Sequence, residues 1–137
     1  MKALAALKGL QKLDLTTEPV TDEGLKELAP LKELKELDLS FSWVTDAGLK
    51  KLASFKELEK LNISNTRVTD AGLKELAGLK GLEELGLQSC QGLTDAGLKE
   101  LAGLKGLKEL HLTIGPEVTA AGLAELLKAL PDCKIYR

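Results

Sequence analysis

The sequence is poor in the residues that build reaction centres and membrane spans. Of its 137 residues 3% are aromatic, namely one Trp, one Tyr and two Phe, and His111 is the single histidine. The two cysteines, Cys90 and Cys133, have no CxxC spacing. They give neither a disulfide framework nor a zinc ligand set, and two free thiols fit a reducing compartment, so the cytoplasm is the expected location. Neither sign of charge dominates, with 19 Lys and Arg against 21 Asp and Glu and a formal net charge of -2. A nucleic-acid or anionic-membrane surface needs a basic excess, so neither partner is expected. No apolar run approaches the roughly 20 residues that span a bilayer. A Gly-rich phosphate loop, a zinc-protease helix and a nucleophile elbow are all missing, and no cofactor or metal is expected.

What is abundant is repetition. Leu7, Leu31, Phe55, Leu79 and Leu104 open successive copies of L-K-x-L-x-x-L-x-L-x-x-x-x-V-T-D-x-G-L-K-x-L-A, at spacings of 24, 24, 24 and 25 residues, and Leu130 follows 26 residues later. A period in this range is the mark of a solenoid: one unit cannot bury its own apolar face, and stacking supplies the core. The opening Met1–Leu7 reads as half a unit rather than a secretion signal, because Ala3–Leu10 lines up with Glu75–Leu82. The expected organisation is a single domain over 1–137: a partial unit at 1–6, units at 7–30, 31–54, 55–78, 79–103 and 104–129, and a closing strand at 130–137.

Within the second unit, Leu37 and Leu39 alternate with Glu36, Asp38 and Ser40, the period of a strand buried on one face. Thr45-Asp46 suits a helix start, with a hydroxyl to accept orphan amides and a carboxylate at the positive end of the dipole. Leu49, Leu52 and Ala53 then form one inward helical face. Gly24, Gly48, Gly72, Gly97 and Gly122 sit early in each helix, where close approach of neighbouring helices is the first expected reason for glycine and a backbone bend the second. Helices about 10 Å wide, stacked behind strands about 4.8 Å apart, force a curve with the strands inside.

These residues carry a family resemblance over essentially the whole chain. The series Leu10/Leu13/Leu15, Leu34/Leu37/Leu39, Leu58/Leu61/Ile63, Leu82/Leu85/Leu87 and Leu107/Leu110/Leu112 resembles the L-x-x-L-x-L core of leucine-rich repeats. Leu82–Leu98, with Cys90, Leu93, Thr94 and Asp95, resembles the cysteine-containing class, whereas Glu18, Ser42 and Thr66 stand in the cysteine position of other units. The T-D-A-G-L-K-x-L-A versions are similar to arrays common in bacteria. The resemblance implies an α/β fold: a right-handed leucine-rich-repeat solenoid, a horseshoe segment with a parallel sheet on the concave face and short helices on the convex face. It also implies binding through the concave strand face.

The rows on that face are Asp14, Asp38, Asn62, Gly86, His111, then Thr16, Ser40, Ser64, Gln88, Thr113, then Thr17, Phe41, Asn65, Ser89, Ile114. Phe41 and Trp43 occupy no framework position and have Asn65 and Arg67 in the next unit, the composition of an interface anchor. Paired Asp14 and Asp38 invite a glycosidase or aspartic-type reading, but an open sheet offers nothing to desolvate them. His111 has Gly86 beside it and no nucleophile in reach, so no triad is expected. Asp22, Asp46, Asp70 and Asp95 are explained by helix starts rather than calcium, and Ala120 breaks that ladder. Lys8, Lys32, Lys56, Lys80 and Lys105, interleaved with Glu33, Glu57, Glu83 and Glu109, read as a solvated rim.

The expected function is a non-catalytic, monomeric protein-interaction module that takes a protein or peptide partner. Its expected contacts are Phe41, Trp43 and Arg67, with Asp38, Asn62, Asn65, Gln88 and His111 adding polar ones. The rival expectation is a structural or engineered idealised repeat scaffold without a native ligand, which the near-identical units favour.

Overall fold

The computed structural model describes residues 1–137. A short helix, α1 (Lys2–Ala5), leads into five strand–helix units: β1 (Lys12–Asp14) and α2 (Asp22–Glu27), β2 (Glu36–Asp38) and α3 (Asp46–Leu52), β3 (Lys60–Asn62) and α4 (Asp70–Leu76), β4 (Glu84–Leu87) and α5 (Asp95–Glu100), β5 (Glu109–Leu112) and α6 (Ala120–Ala129). A closing strand, β6 (Lys134–Tyr136), ends the chain. The strands form one six-stranded sheet in chain order, each pair parallel. The molecule is a right-handed α/β solenoid with its sheet on the inner side and its helices on the outer.

Stacking builds a single core. Leu37, Leu61, Leu85 and Leu110 pair in register between strands, and the helices return Leu25/Leu28, Leu49/Leu52, Leu73/Leu76, Leu98/Leu101 and Leu123/Leu126 against them, all buried. Phe55 is 1% exposed in a leucine position, with Lys32 Nζ 5.9 Å from its ring centroid.

Helices α2 to α6 open as the sequence predicts, on a threonine whose hydroxyl accepts an orphan amide: Thr21 from Gly24, Thr45 from Ala47, Thr69 from Ala71, Thr94 from Ala96 and Thr119 from Gly122. The aspartate after it does more than answer the helix dipole. Asp46 Oδ1 accepts the Thr69 N–H at 2.8 Å and Asp46 Oδ2 accepts the Thr69 hydroxyl at 2.6 Å. The same pair of bonds joins Asp22 to Thr45, Asp70 to Thr94 and Asp95 to Thr119. Each first-turn carboxylate therefore ties its unit to the next.

This tie explains the glycines. A Cβ at Gly48, Gly72, Gly97 or Gly122 would overlap the carboxylate of the preceding Asp22, Asp46, Asp70 or Asp95. None of these glycines has a positive φ, so space rather than backbone freedom excludes a side chain. The lysine rim is similarly engaged in part, since Lys80 Nζ and Lys105 Nζ donate to the Gly103 and Ala129 carbonyls at the ends of the next helical segments.

Candidate functional site: the strand face and the strand-end cleft

Strand alternation puts one row of side chains into the core and the next onto the open face. There they line a groove of roughly 500 Å³ that includes Lys12, Asp14, Glu36, Asp38, Lys60, Asn62, Glu84, Gly86, Gln88 and His111. Four of the expected contact residues, Asp38, Asn62, Gln88 and His111, share this groove. Two of them are already engaged by their own scaffold. Asp38 Oδ1 accepts the Ser40 N–H at 2.8 Å and its hydroxyl at 2.6 Å, while Oδ2 accepts Asn62 Nδ2 at 2.9 Å. Asn62 Oδ1 accepts the Ser64 N–H, and Asn62 lies where a side chain at position 86 would stand, which accounts for Gly86. In β1, the Thr16 hydroxyl and N–H hold the Asp14 carboxyl below the usual carboxylate range. Asp14 and Asp38 are register partners, and both serve the turns that end their strands.

The sequence reading missed the charged row two residues earlier. Lys12, Glu36, Lys60, Glu84, Glu109 and Lys134 pair in register across all six strands. Lys12 Nζ meets Glu36 at 2.9 Å and lowers its carboxyl pKa; Lys60 Nζ meets Glu84 at 2.9 Å, and that carboxylate raises the lysine pKa. The signal was legible as alternating Lys and Glu two positions before each Asp/Asn/Gly/His position. Glu83 and Glu109 are the corrections: Glu109 belongs to this row, and Glu83 stands one position before it with Lys35, Glu59 and Lys108, not in the rim with Glu33 and Glu57. The extra residue between Leu79 and Leu104 makes Lys108 the counterpart of Glu83, and the two form an ion pair at 2.9 Å.

The other four expected residues lie in a second, open cleft of about 590 Å³ at the strand ends, where Phe41, Trp43, Asn65 and Arg67 join Ser42, Thr66, Ser89, Gln91 and Gly92. Phe41 is 56% and Trp43 61% exposed. Thr17, Phe41, Asn65 and Ser89 occupy equivalent positions with φ of 63°, 60°, 56° and 56°, the left-handed region. Asparagine is suited to it; a bulky aromatic is not. The turn is held from the neighbouring unit, where Phe41 N–H donates to the Ser64 carbonyl at 3.0 Å and Asn65 N–H to the Gln88 carbonyl at 2.8 Å. Between the aromatics, Ser42 is 4% exposed and its hydroxyl oxygen has no partner.

At the far end of the groove the His111 ring stacks on Tyr136, with centroids 4.7 Å apart and planes 13° from parallel. Its Nε2 is 3.7 Å from Glu109 and 3.9 Å from Glu84. Neither thiol is near the open face as a nucleophile. Cys90 and Cys133 are buried, and burial pushes both thiol pKa values up, away from the thiolate.

A repeating parallel solenoid with a structured inner face and variable strand ends defines the class, and the comparisons agree. Residues 33–53, 57–77 and 82–102 match the model of the leucine-rich repeat family. Among solved structures, an internalin (inlF) from Listeria monocytogenes str. 4b F2365 superposes with a TM-score of 0.66 at 21% identity, covering 99% of this chain and 43% of that one. Internalin C2 from the same organism gives 0.68 at 28% identity, over 98% of this chain and 55% of that one. Leiomodin-1 actin-binding site 2 gives 0.73 at 16% identity, over 91% and 81%. The chain thus spans about half the length of these internalins. A search of curated protein sequences returns no match. The three matched stretches are leucine-rich repeats, and the fold of the chain is a leucine-rich-repeat solenoid.

Proposed function

We propose that this chain is a non-catalytic protein-binding module that holds a protein or peptide partner in the strand-end cleft and along the adjoining groove. The observation that carries this reading is the pair Phe41 and Trp43. Leaving two large aromatics 56% and 61% exposed forgoes the burial that nearly every other large apolar side chain of the units attains. Phe41 in addition occupies a left-handed position that costs a bulky residue about 1–3 kcal/mol. Fold stability favours neither choice, whereas aromatic anchors beside Arg67 are what an interface centre uses.

Groove chemistry supports the non-catalytic part. Asp14, Asp38 and Asn62 are committed to their turns, and the thiols are buried. The buried reduced thiols also fit work in the cytoplasm. The fold is one that serves as an actin-binding site in leiomodin-1, a likeness of architecture that supports protein binding as a class.

A photo-crosslinking residue placed at Trp43 tests this against one placed at Lys50, which is exposed on α3. The reading expects discrete cross-linked products from position 43 in source lysate and none from position 50. Equal labelling from both, or none from either, would refute it.

A further inference from the structure

We propose that Glu84, Glu109 and His111 form a binding site for one divalent first-row transition-metal cation, with zinc as the reference case. The argument starts from the cross-strand charge row. Its members alternate as Lys12, Glu36, Lys60, Glu84, and then the alternation fails, because Glu109 is the register partner of Glu84. Like charges directly opposite on neighbouring strands destabilise a sheet unless a cation stands between them. Lys60 takes Glu84 Oε2 at 2.9 Å and leaves Oε1 facing His111. Lys134 is the register partner of Glu109 on the other side, yet the two form no ion pair, and His111 is the one basic group within 4.0 Å of the Glu109 carboxylate.

The chain's single histidine is therefore placed at the single fault in the row. Its Nε2 stands 3.7 Å from Glu109 Oε2 and 3.9 Å from Glu84 Oε1, beyond hydrogen-bond range for both. The ligand atoms of the three side chains lie within 4.8 Å of one another. Zinc bonds of about 2.0–2.2 Å set neighbouring ligand atoms roughly 3–3.6 Å apart, so modest rotations of three half-buried side chains close the site. Stacking on Tyr136 fixes the plane of the imidazole.

One imidazole and two carboxylates suit zinc, cobalt or manganese better than calcium or magnesium, which take oxygen alone. Three protein ligands leave the remaining positions open to the groove. The ligands come from strands of two units, so no contiguous motif announces them. The site needs no protein partner, although Glu84 and His111 also line the groove proposed to hold one.

Isothermal titration of the full chain with zinc chloride alone tests it. The expected result is one saturable equivalent, weakened about tenfold or more in His111→Ala and in Glu109→Gln, and unchanged in Glu36→Gln and Cys133→Ser. Histidine nitrogen shifts in NMR should move at Nε2, and circular dichroism confirms that each variant is folded. Glu84→Gln replaces Glu109→Gln if the latter does not fold. Absence of saturable one-to-one binding, wild-type affinity in His111→Ala, or loss of binding in Cys133→Ser would overturn the proposal.

Discussion

Replacing Gly72 by alanine should destabilise the protein, although alanine is favoured over glycine in a helix by about 1 kcal/mol. Gly72 lies in the first turn of α4, and a Cβ there would overlap the Asp46 carboxylate and come within 2.9 Å of Leu49 Cδ1. Relief requires Asp46 to leave Thr69, whose N–H and hydroxyl donate to it at 2.8 and 2.6 Å. Hydrogen bonds to a charged group contribute about 1.5–3 kcal/mol each, and partial rehydration returns some of that. Set against the propensity gain, the net cost is about 2–4 kcal/mol. Gly24 is the control: no carboxylate faces it, and the nearest atoms to an added Cβ are Val20 Cγ1 at 3.6 Å and Met1 Cγ at 3.7 Å. Gly24→Ala should therefore stabilise by about 0.5–1 kcal/mol. Urea unfolding followed by far-UV circular dichroism reads both signs. In the cycle with Asp46→Ala, the second variant should absorb much of the cost of Gly72→Ala, a coupling of about 1–3 kcal/mol. Stabilisation by Gly72→Ala, or additivity with Asp46→Ala, would refute the carboxylate tie between units.

Three further outcomes follow from the same packing. Leu61→Ala, at a side chain 2% exposed in the central strand, should cost about 2–5 kcal/mol, and Leu10→Ala, half-buried in the first unit, clearly less; equal losses in urea midpoint would contradict nearest-neighbour stacking. Ser42→Ala should be neutral or stabilising within about 1 kcal/mol because its oxygen has no partner, whereas Thr66→Ala should cost about 1 kcal/mol, since the Thr66 hydroxyl donates to the Ile63 carbonyl at 2.6 Å. Asp95 accepts from the Thr119 N–H and hydroxyl, which lowers its pKa in the fold; it therefore adds stability above the unfolded-state value near pH 4, and that is lost as pH falls through the lower folded value. Asp95→Ala should lower Tm at pH 7 and begin to converge with the wild type as pH falls below about 4, completing only below the lower folded value, and a gap that persists under stronger acid would count against this.

The repeat made the fold readable. Five copies of one pattern locate strands, helix starts and core, and even Phe55 reads as a leucine substitute. The aspartate ladder was legible only in part: Asp46 announces a helix start locally, but its bonds to Thr69 span 23 residues and exist only once the units are stacked. The glycines follow from the same contact. Phe41 and Trp43 stood out because they break a strict pattern, and the structure leaves both open to solvent. Their left-handed turn was hidden, since Thr17, Phe41, Asn65 and Ser89 share a backbone conformation and no side-chain type. Glu83 and Glu109 look like rim residues beside Lys80 and Lys105, yet they stand four and five positions after the residues that open their units, whereas Glu33 and Glu57 stand two after theirs; at period two a shift of one moves a side chain to the other face.

The central claim is that Phe41 and Trp43 serve a partner rather than the fold. A pull-down comparing wild type with Phe41→Asn/Trp43→Ser tests it most directly, because asparagine suits the left-handed position and neither aromatic is buried. The account predicts a variant with an equal or higher Tm that no longer retains the partner held by the wild type. A variant that melts lower, or that retains the same partner, would contradict it.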